Sequence, residues 1–260
     1  MNRKNNLIRT AILLLTVASV IGLVFSAMPS LAAFAATVNG TGIGETLKGT
    51  QSNDTIYGEA GDDIIYGYAG DDVLYGGRGS DQIYGSYGDD RIFGWTGSNV
   101  ISGGPGSDYI LATGEPGGDD CCDGAFNEIT GGSGGDYIRT VDAAGIIHGN
   151  SGNDVIEFGG EATGTIYGDG DDDSLYITTD VGVNAYGGHG NDDIYAEFGG
   201  YLYGGVGDDT LQADNDSVVM NGGAGSDTFI CTEGADEEIE DYDAGEGDVI
   251  RNENLCERVS

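Results

Sequence analysis

Between residues 40 and 111 one large aliphatic side chain returns at every ninth position: Leu47, Ile56, Ile65, Leu74, Ile83, Ile92, Ile101 and Ile110. Each sits between residues that are polar, aromatic or β-branched, the alternation of a short half-buried strand. A glycine- and aspartate-rich turn separates each strand from the next. A unit this small cannot bury its own apolar face, so neighbours must stack to make a continuous core. Counted from its first glycine, the unit has Gly at positions one and four, Asp at six, the aliphatic at eight and often Tyr at nine. Units 58–66, 67–75 and 76–84 have this form. Over the eight units, position six reads Glu45, Asp54, Asp63, Asp72, Asp81, Asp90, Asn99 and Asp108.

From 112 to 121 the phase breaks in a Gly-, Pro- and Asp-rich loop, and it returns at 122–130 with Ile129 in the aliphatic place. Beyond this, strong units begin at Gly131, Gly149, Gly168, Gly187, Gly204 and Gly222, which puts Asp136, Asp154, Asp173, Asp192, Asp209 and Asp227 at position six. Weaker strands without an Asp turn lie between them, at 144–147, 164–167 and 201–203. The doubled period is what two short strands and two turns per coil require. The first array, 36–111, therefore predicts turns of the Asp type on both edges of a solenoid, and the second, 131–230, mainly on one. Residues 112–130 form a loop insertion and degenerate repeat. Residues 231–260, with apolar residues scattered among acids, read as a C-terminal cap over the last coil.

Composition adds a partner. The chain has 260 residues, 50 of them glycine, and a formal net charge of -36. Nothing here could neutralise phosphates, so nucleic acid is excluded as a partner. A folded chain this acidic repels itself unless cations bind. The first 35 residues stand apart: Arg3, Lys4 and Arg9 precede an apolar run over 11–25 and a small-residue stretch ending at Ala35. That is the layout of a secretory signal peptide, with an uncleaved membrane anchor as the competing reading. With cleavage no membrane span remains, and the product is secreted or held at the cell surface. Four cysteines (Cys121, Cys122, Cys231 and Cys256) suit an oxidising compartment and allow three pairings. Pairing Cys231 with Cys256 would close a C-terminal loop, contributing on the order of 3 kcal/mol. The adjacent Cys121 and Cys122 form either a vicinal bridge or two separate bonds.

The turn itself carries the chemistry. Glycines at positions one, two and four permit positive φ, so backbone carbonyls can converge, and the Asp adds a carboxylate beside them. Calcium takes six to eight such oxygens. One turn supplies half a shell, and the turn one coil later on the same edge supplies the rest. The units resemble the RTX (repeats-in-toxin) nonapeptide, Gly-Gly-x-Gly-x-Asp-x-aliphatic-x, most closely at 76–84, 187–195, 204–212 and 222–230. The resemblance implies an all-β, right-handed parallel β-roll holding several Ca2+ ions between adjacent turns, with a capping segment at its C-terminus. The metal candidates are then the position-six residues from Asp54 to Asp227, Asn99 included as a weaker one. Position two departs from glycine at Glu59, Tyr68, Ser86 and Trp95.

Two aliphatic side chains per coil are too little burial to offset the ordering of about 18 residues, so the metal is expected to drive folding. The fifth-position acids Asp62, Asp71, Asp89 and Asp208 are expected to be solvated. Tyr57, Tyr66, Tyr75, Tyr84, Phe93, Tyr167, Tyr176 and Tyr195 at position nine should stack every second unit into a ladder, through strand pairing or for sugar binding. His148 and His189 read as surface residues. No catalytic motif of zinc-protease or serine-hydrolase type is present. The favoured function is a non-enzymatic, calcium-binding structural or adhesive protein. The alternatives are a calcium-dependent carbohydrate-binding module for extracellular polysaccharide and, last, a polysaccharide lyase or epimerase.

Overall fold

Successive nine-residue units fall alternately on two faces of one coil. The computed structural model describes residues 34–112, 125–161, 163–179, 181–214, 218–232, 238–251, 256 and 258–259. The expected signal segment 1–35 lies outside them up to residue 33, as do Cys121 and Cys122. Every regular element among the described residues is a β-strand. Odd-numbered strands, from Thr37–Asn39 to Val249–Arg251, form one 12-stranded sheet, and even-numbered strands, from Thr46–Lys48 to Arg258–Val259, form the other. All neighbouring pairs are parallel, as in a β-roll. The family-style expectation of an all-β parallel roll is met.

The core is two ladders of aliphatic side chains facing each other between the sheets. Ile56, Leu74, Ile92, Ile110, Ile138, Ile156, Leu175, Ile194, Leu211 and Phe229 stand in register on the first sheet. Leu47, Ile65, Ile83, Ile101, Ile129, Ile147, Ile166, Ala185, Leu202, Met220 and Ile239 do so on the second. All are buried. Both ladders cross the insertion without losing register, Ile110 pairing with Ile138 and Ile101 with Ile129. The tail continues both sheets: Glu238–Asp241 pairs with the strand at Val218–Ala224, and Val249–Arg251 with Thr228–Cys231. Cys231 is joined to Cys256, with Cα atoms 5.6 Å apart.

The turns before first-sheet strands make one edge of the roll, here the first edge, and those before second-sheet strands the second edge. The edges differ in the second half. After residue 112 the place of the position-one glycine on the second edge is taken by Thr140, Phe158, Ile177, Ala196, Ala213 and Cys231, all buried and in register. Val183 and Val218 add to this packing. There the coil closes on apolar side chains, whereas the first edge keeps its glycine turns as far as Gly222.

Glycine serves two separate purposes in a turn. Positions two and four stand in the left-handed region, for example Gly77 at φ 108° and Gly79 at φ 136°. Glu59, Tyr68, Ser86 and Trp95 hold the same place at φ 75°, 82°, 82° and 60°, each at a cost of roughly 1–2 kcal/mol. Position one does not have positive φ, contrary to the sequence expectation. It must be glycine because a Cβ there has no room: at Gly103 it would lie 2.2 Å from Asp108 Oδ2 and 2.6 Å from the Gly131 carbonyl oxygen. Glu59→Gly should therefore raise stability by about 1 kcal/mol in a denaturant titration of the calcium-loaded protein. Gly103→Ala should lower it, and a neutral result at Gly103 would remove the steric argument.

Candidate metal centres

From Asp54 to Asp227 the aspartate or asparagine at position six points inward and is buried. On the first edge these are Asp54, Asp72, Asp90, Asp108, Asp136, Asp154, Asp173, Asp192, Asp209 and Asp227; on the second they are Asp63, Asp81 and Asn99. Two further residues occupy the same place: Asn127 on the second edge and Asp248 on the first. The spacing could have found both, Asn127 by counting the frame from 122 and Asp248 from its place two residues before Ile250.

One oxygen of each side chain is spoken for. Oδ1 accepts the backbone N–H of the sixth residue one coil earlier. Asp54 N–H donates to Asp72 Oδ1 at 2.7 Å, Asp72 N–H to Asp90 at 2.8 Å, and Asp108 N–H to Asp136 at 2.7 Å across the insertion. The second edge has the same bond from Asp63 N–H to Asp81 at 2.9 Å. Asp63 and Asp81 thus share one edge, and Asp54, Asp72 and Asp90 the other, as the alternation of units predicts. A second ladder runs the opposite way along the exposed side of the first edge. Here position five accepts the N–H of position five one coil later: Asp71 N–H donates to Asn53 Oδ1 at 3.0 Å, and Ser107 N–H to Asp89 Oδ1 at 2.9 Å. The fifth-position acids are exposed, as expected, and in addition accept backbone N–H groups.

The other oxygen, Oδ2, turns back into its own turn. For Asp63, Asp72, Asp81, Asp90, Asp108, Asp136, Asp154, Asp173, Asp192 and Asp209 it is buried without a hydrogen-bond donor. Its surroundings are acceptors. The point where a Cβ on Gly67 would sit lies 2.4 Å from Asp72 Oδ2 and 2.7 Å from the Gly85 carbonyl oxygen of the next coil. The same pair converges at Gly58, Gly76, Gly85, Gly103, Gly131, Gly149, Gly168, Gly187 and Gly204. Asn99 reveals two more oxygens. Its Nδ2, in the place of an Oδ2, lies 3.4 Å from both the Trp95 and Gly97 carbonyl oxygens, at positions two and four of its own turn. An aspartate in that place presents a carboxylate oxygen to a ring of carbonyls, an arrangement that costs free energy unless a cation sits among them.

Burial raises these carboxyls well above the usual carboxylate range, opposed by the backbone hydrogen bond each accepts. Asp72, Asp81, Asp108, Asp154 and Asp192 are pushed to about 6. Asp90, Asp136 and Asp209 reach about 7, and Asp173 about 8. Among the described residues no three side-chain carboxylates, imidazoles or thiols gather into a cluster. Most of the oxygen comes from the backbone. An all-oxygen cradle of carbonyls with one carboxylate suits a hard, flexibly coordinated cation such as calcium rather than zinc.

The end turns differ. Asp54 Oδ2 accepts the Thr50 N–H, Asp248 Oδ2 accepts the Asp243 N–H at 2.7 Å, and Glu45 Oε2 accepts the Thr41 N–H at 2.6 Å. At Gly222 the Asp227 carboxylate approaches as elsewhere, but no carbonyl of the following coil comes as close.

The family model of the RTX calcium-binding nonapeptide repeat, four copies long, matches residues 39–74, 48–83, 75–110, 130–163 and 203–237, together more than half of the chain. The chain belongs to the RTX calcium-binding repeat family. A solved structure described as a hyperactive, Ca2+-dependent, β-helical antifreeze protein from an Antarctic bacterium is similar to this RTX chain. It shares 17% identity, with 84% of this chain and 88% of the other covered and a TM-score of 0.40. No curated protein sequence matches the chain.

The outer faces of the RTX roll carry the aromatic ladders. Tyr57, Tyr75 and Phe93 stack with centroids 4.8 and 4.9 Å apart, and Tyr66 stacks on Tyr84 at 5.1 Å. His148 stacks on Tyr167 at 4.5 Å, and its Nδ1 lies 2.8 Å from Asp169 Oδ2. His189 lies in a first-edge turn, at position three of its unit.

The raised carboxyls fix a sign. In the metal-free roll their pKa values lie above the unfolded value, so protonation stabilises the fold. That contribution is full below about 4 and is lost as pH rises through about 6 to 8. Circular dichroism of metal-free protein should show more β-structure at pH 5 than at pH 8. Greater order at pH 8 would contradict the buried geometry of these aspartates.

Proposed function

We propose that the chain is a secreted, non-enzymatic structural protein that folds when calcium fills the stacked turns. The observation that carries this reading is the set of ten buried Oδ2 atoms, each facing backbone carbonyls and none with a donor. Each ion would take Oδ2 of one turn, the carbonyls of positions two and four of that turn, and the position-one carbonyl of the next coil. On this reading eight ions lie along the first edge, at Asp72, Asp90, Asp108, Asp136, Asp154, Asp173, Asp192 and Asp209, and two on the second, at Asp63 and Asp81. Asp54 and Asp227 close the ends of the first-edge column, since one already holds a backbone donor and at the other no carbonyl of the following coil comes as close as elsewhere. Bound calcium supplies the positive charge that turns these mutually repelling acceptors into a bond between coils.

Secretion fits both the signal-like first segment and the weak affinity of such sites. Extracellular calcium modules have dissociation constants of roughly 10⁻⁴–10⁻³ M, so the chain stays unfolded where calcium is scarce. No helix among the described residues is long and apolar enough to cross a membrane. The sugar-binding alternative is disfavoured by the ladders. Saccharides pack on open ring faces, and here neighbouring rings cover one another, with Lys48 Nζ 6.0 Å from the ring of Tyr66 at one end.

Calcium added to chelated protein at neutral pH should produce the β-sheet signal cooperatively in the millimolar range, with about ten ions bound by calorimetry. A full β signal in excess chelator would sink the proposal.

A further inference from the structure

On the second edge the sixth position reads Asp63, Asp81, Asn99, Asn127 and then, in register, Gly145, Gly164, Val183, Gly200 and Val218. With Glu45 preceding them at the entry turn, the carboxylates stop at Asp81, and two buried asparagines stand between them and the apolar half. The orientation of both amides is fixed. Asn99 Oδ1 accepts the Asp81 N–H at 2.9 Å, and Asn127 Oδ1 accepts the Asn99 N–H at 2.9 Å, so each NH2 must occupy the place of an Oδ2.

Given the calcium reading above, we infer that the Asn99 side-chain amide replaces a cation, closing its turn without metal and ending the second-edge ion column at Asp81. Three observations converge. The Nδ2 donates into the Trp95 and Gly97 carbonyls, the pair that the cation would otherwise bridge. The position-one carbonyl of the next coil has left the site: at Gly94 the nearest atoms are Ile101 Cδ1 at 2.9 Å and Asn99 Nδ2 at 3.0 Å, with no carbonyl oxygen so close. That carbonyl, on Ala112, instead accepts the Thr140 hydroxyl at 3.2 Å. Finally, one coil on, Asn127 Nδ2 is a buried donor without a partner, so no carboxylate oxygen stands at that sixth position either. Asn99 is thus a positioning residue at the junction between metal-bound and apolar coils. The sequence expectation of a weakened calcium ligand gives way to a substitute for calcium.

The two roles predict opposite effects of one atom. Asn99→Asp keeps Oδ1 and its hydrogen bond, and changes only NH2 to O⁻. If the amide replaces the ion, this variant melts below wild type in saturating calcium and binds the same number of ions by native mass spectrometry. A higher melting temperature, or one additional ion, overturns the inference. Because this variant could be too unstable to assemble, Asp81→Asn and Asp81→Ala form an independent pair. Both should lose one ion, but the asparagine should fill its turn and melt several degrees above the alanine. Equal melting of the two would also overturn it. Wild-type protein that binds no calcium in the same spectra would reject the calcium reading itself, a result separable from any ordering of the variants.

Discussion

A buried carboxylate oxygen aimed at backbone carbonyls is the constraint on which this fold depends. Each inward aspartate spends one oxygen on the N–H of the coil before it and keeps the other among acceptors. The first bond fixes the stacking; the second leaves an unmet demand for positive charge. The same group therefore serves as spacer and as ligand. It also dictates the glycine at position one, since carboxylate and neighbouring carbonyl leave no room for a Cβ.

In the second half of the second edge the carboxylate and that glycine are lost together, whereas the turn of Asn99 still keeps Gly94. On the second edge after residue 112 the position fills with Thr140, Phe158 and Ile177, and coil closure passes from ionic to apolar contacts. The roll thus contains two ways of closing a coil built on identical strands. One sets a carboxylate among carbonyls and needs little side-chain volume; the other needs volume and no carboxylate. Neighbours interact only along the stack, so stability is a sum of nearest-neighbour terms and each edge contributes its own.

Much of this was legible in the residues. Ile56, Ile65 and Leu74 with their glycine turns announce stacked strands, and Asp63 and Asp72 their assignment to opposite edges, because spacing alone determines both. What spacing cannot carry is direction. Nothing in the pattern tells that Oδ1 reaches backward along the stack while Asp71 and Asp89 reach forward, or that a glycine is required for space and not for φ. Asn127 and Asp248 escaped because the insertion and the irregular tail interrupt the count. At Asn99 the letter differs from Asp by one atom group, and only the structure shows that its amide donates to the carbonyls of its own turn.

The edges also differ in how strictly they measure length. In the second half, as far as Phe229, the path from a second-sheet aliphatic through the first edge to the next aliphatic is nine residues, as from Ile147 to Ile156 and from Leu202 to Leu211. Through the second edge it is ten from Ile156 to Ile166 but eight from Ile194 to Leu202. The aspartate-lined edge works as a ruler, and the apolar edge as slack. The ten-residue insertion after Leu111 falls on the slack side, at the junction where the ruler there has just ended. New loops, and with them new surface chemistry, can be grafted along that margin while the opposite one keeps the coils in step.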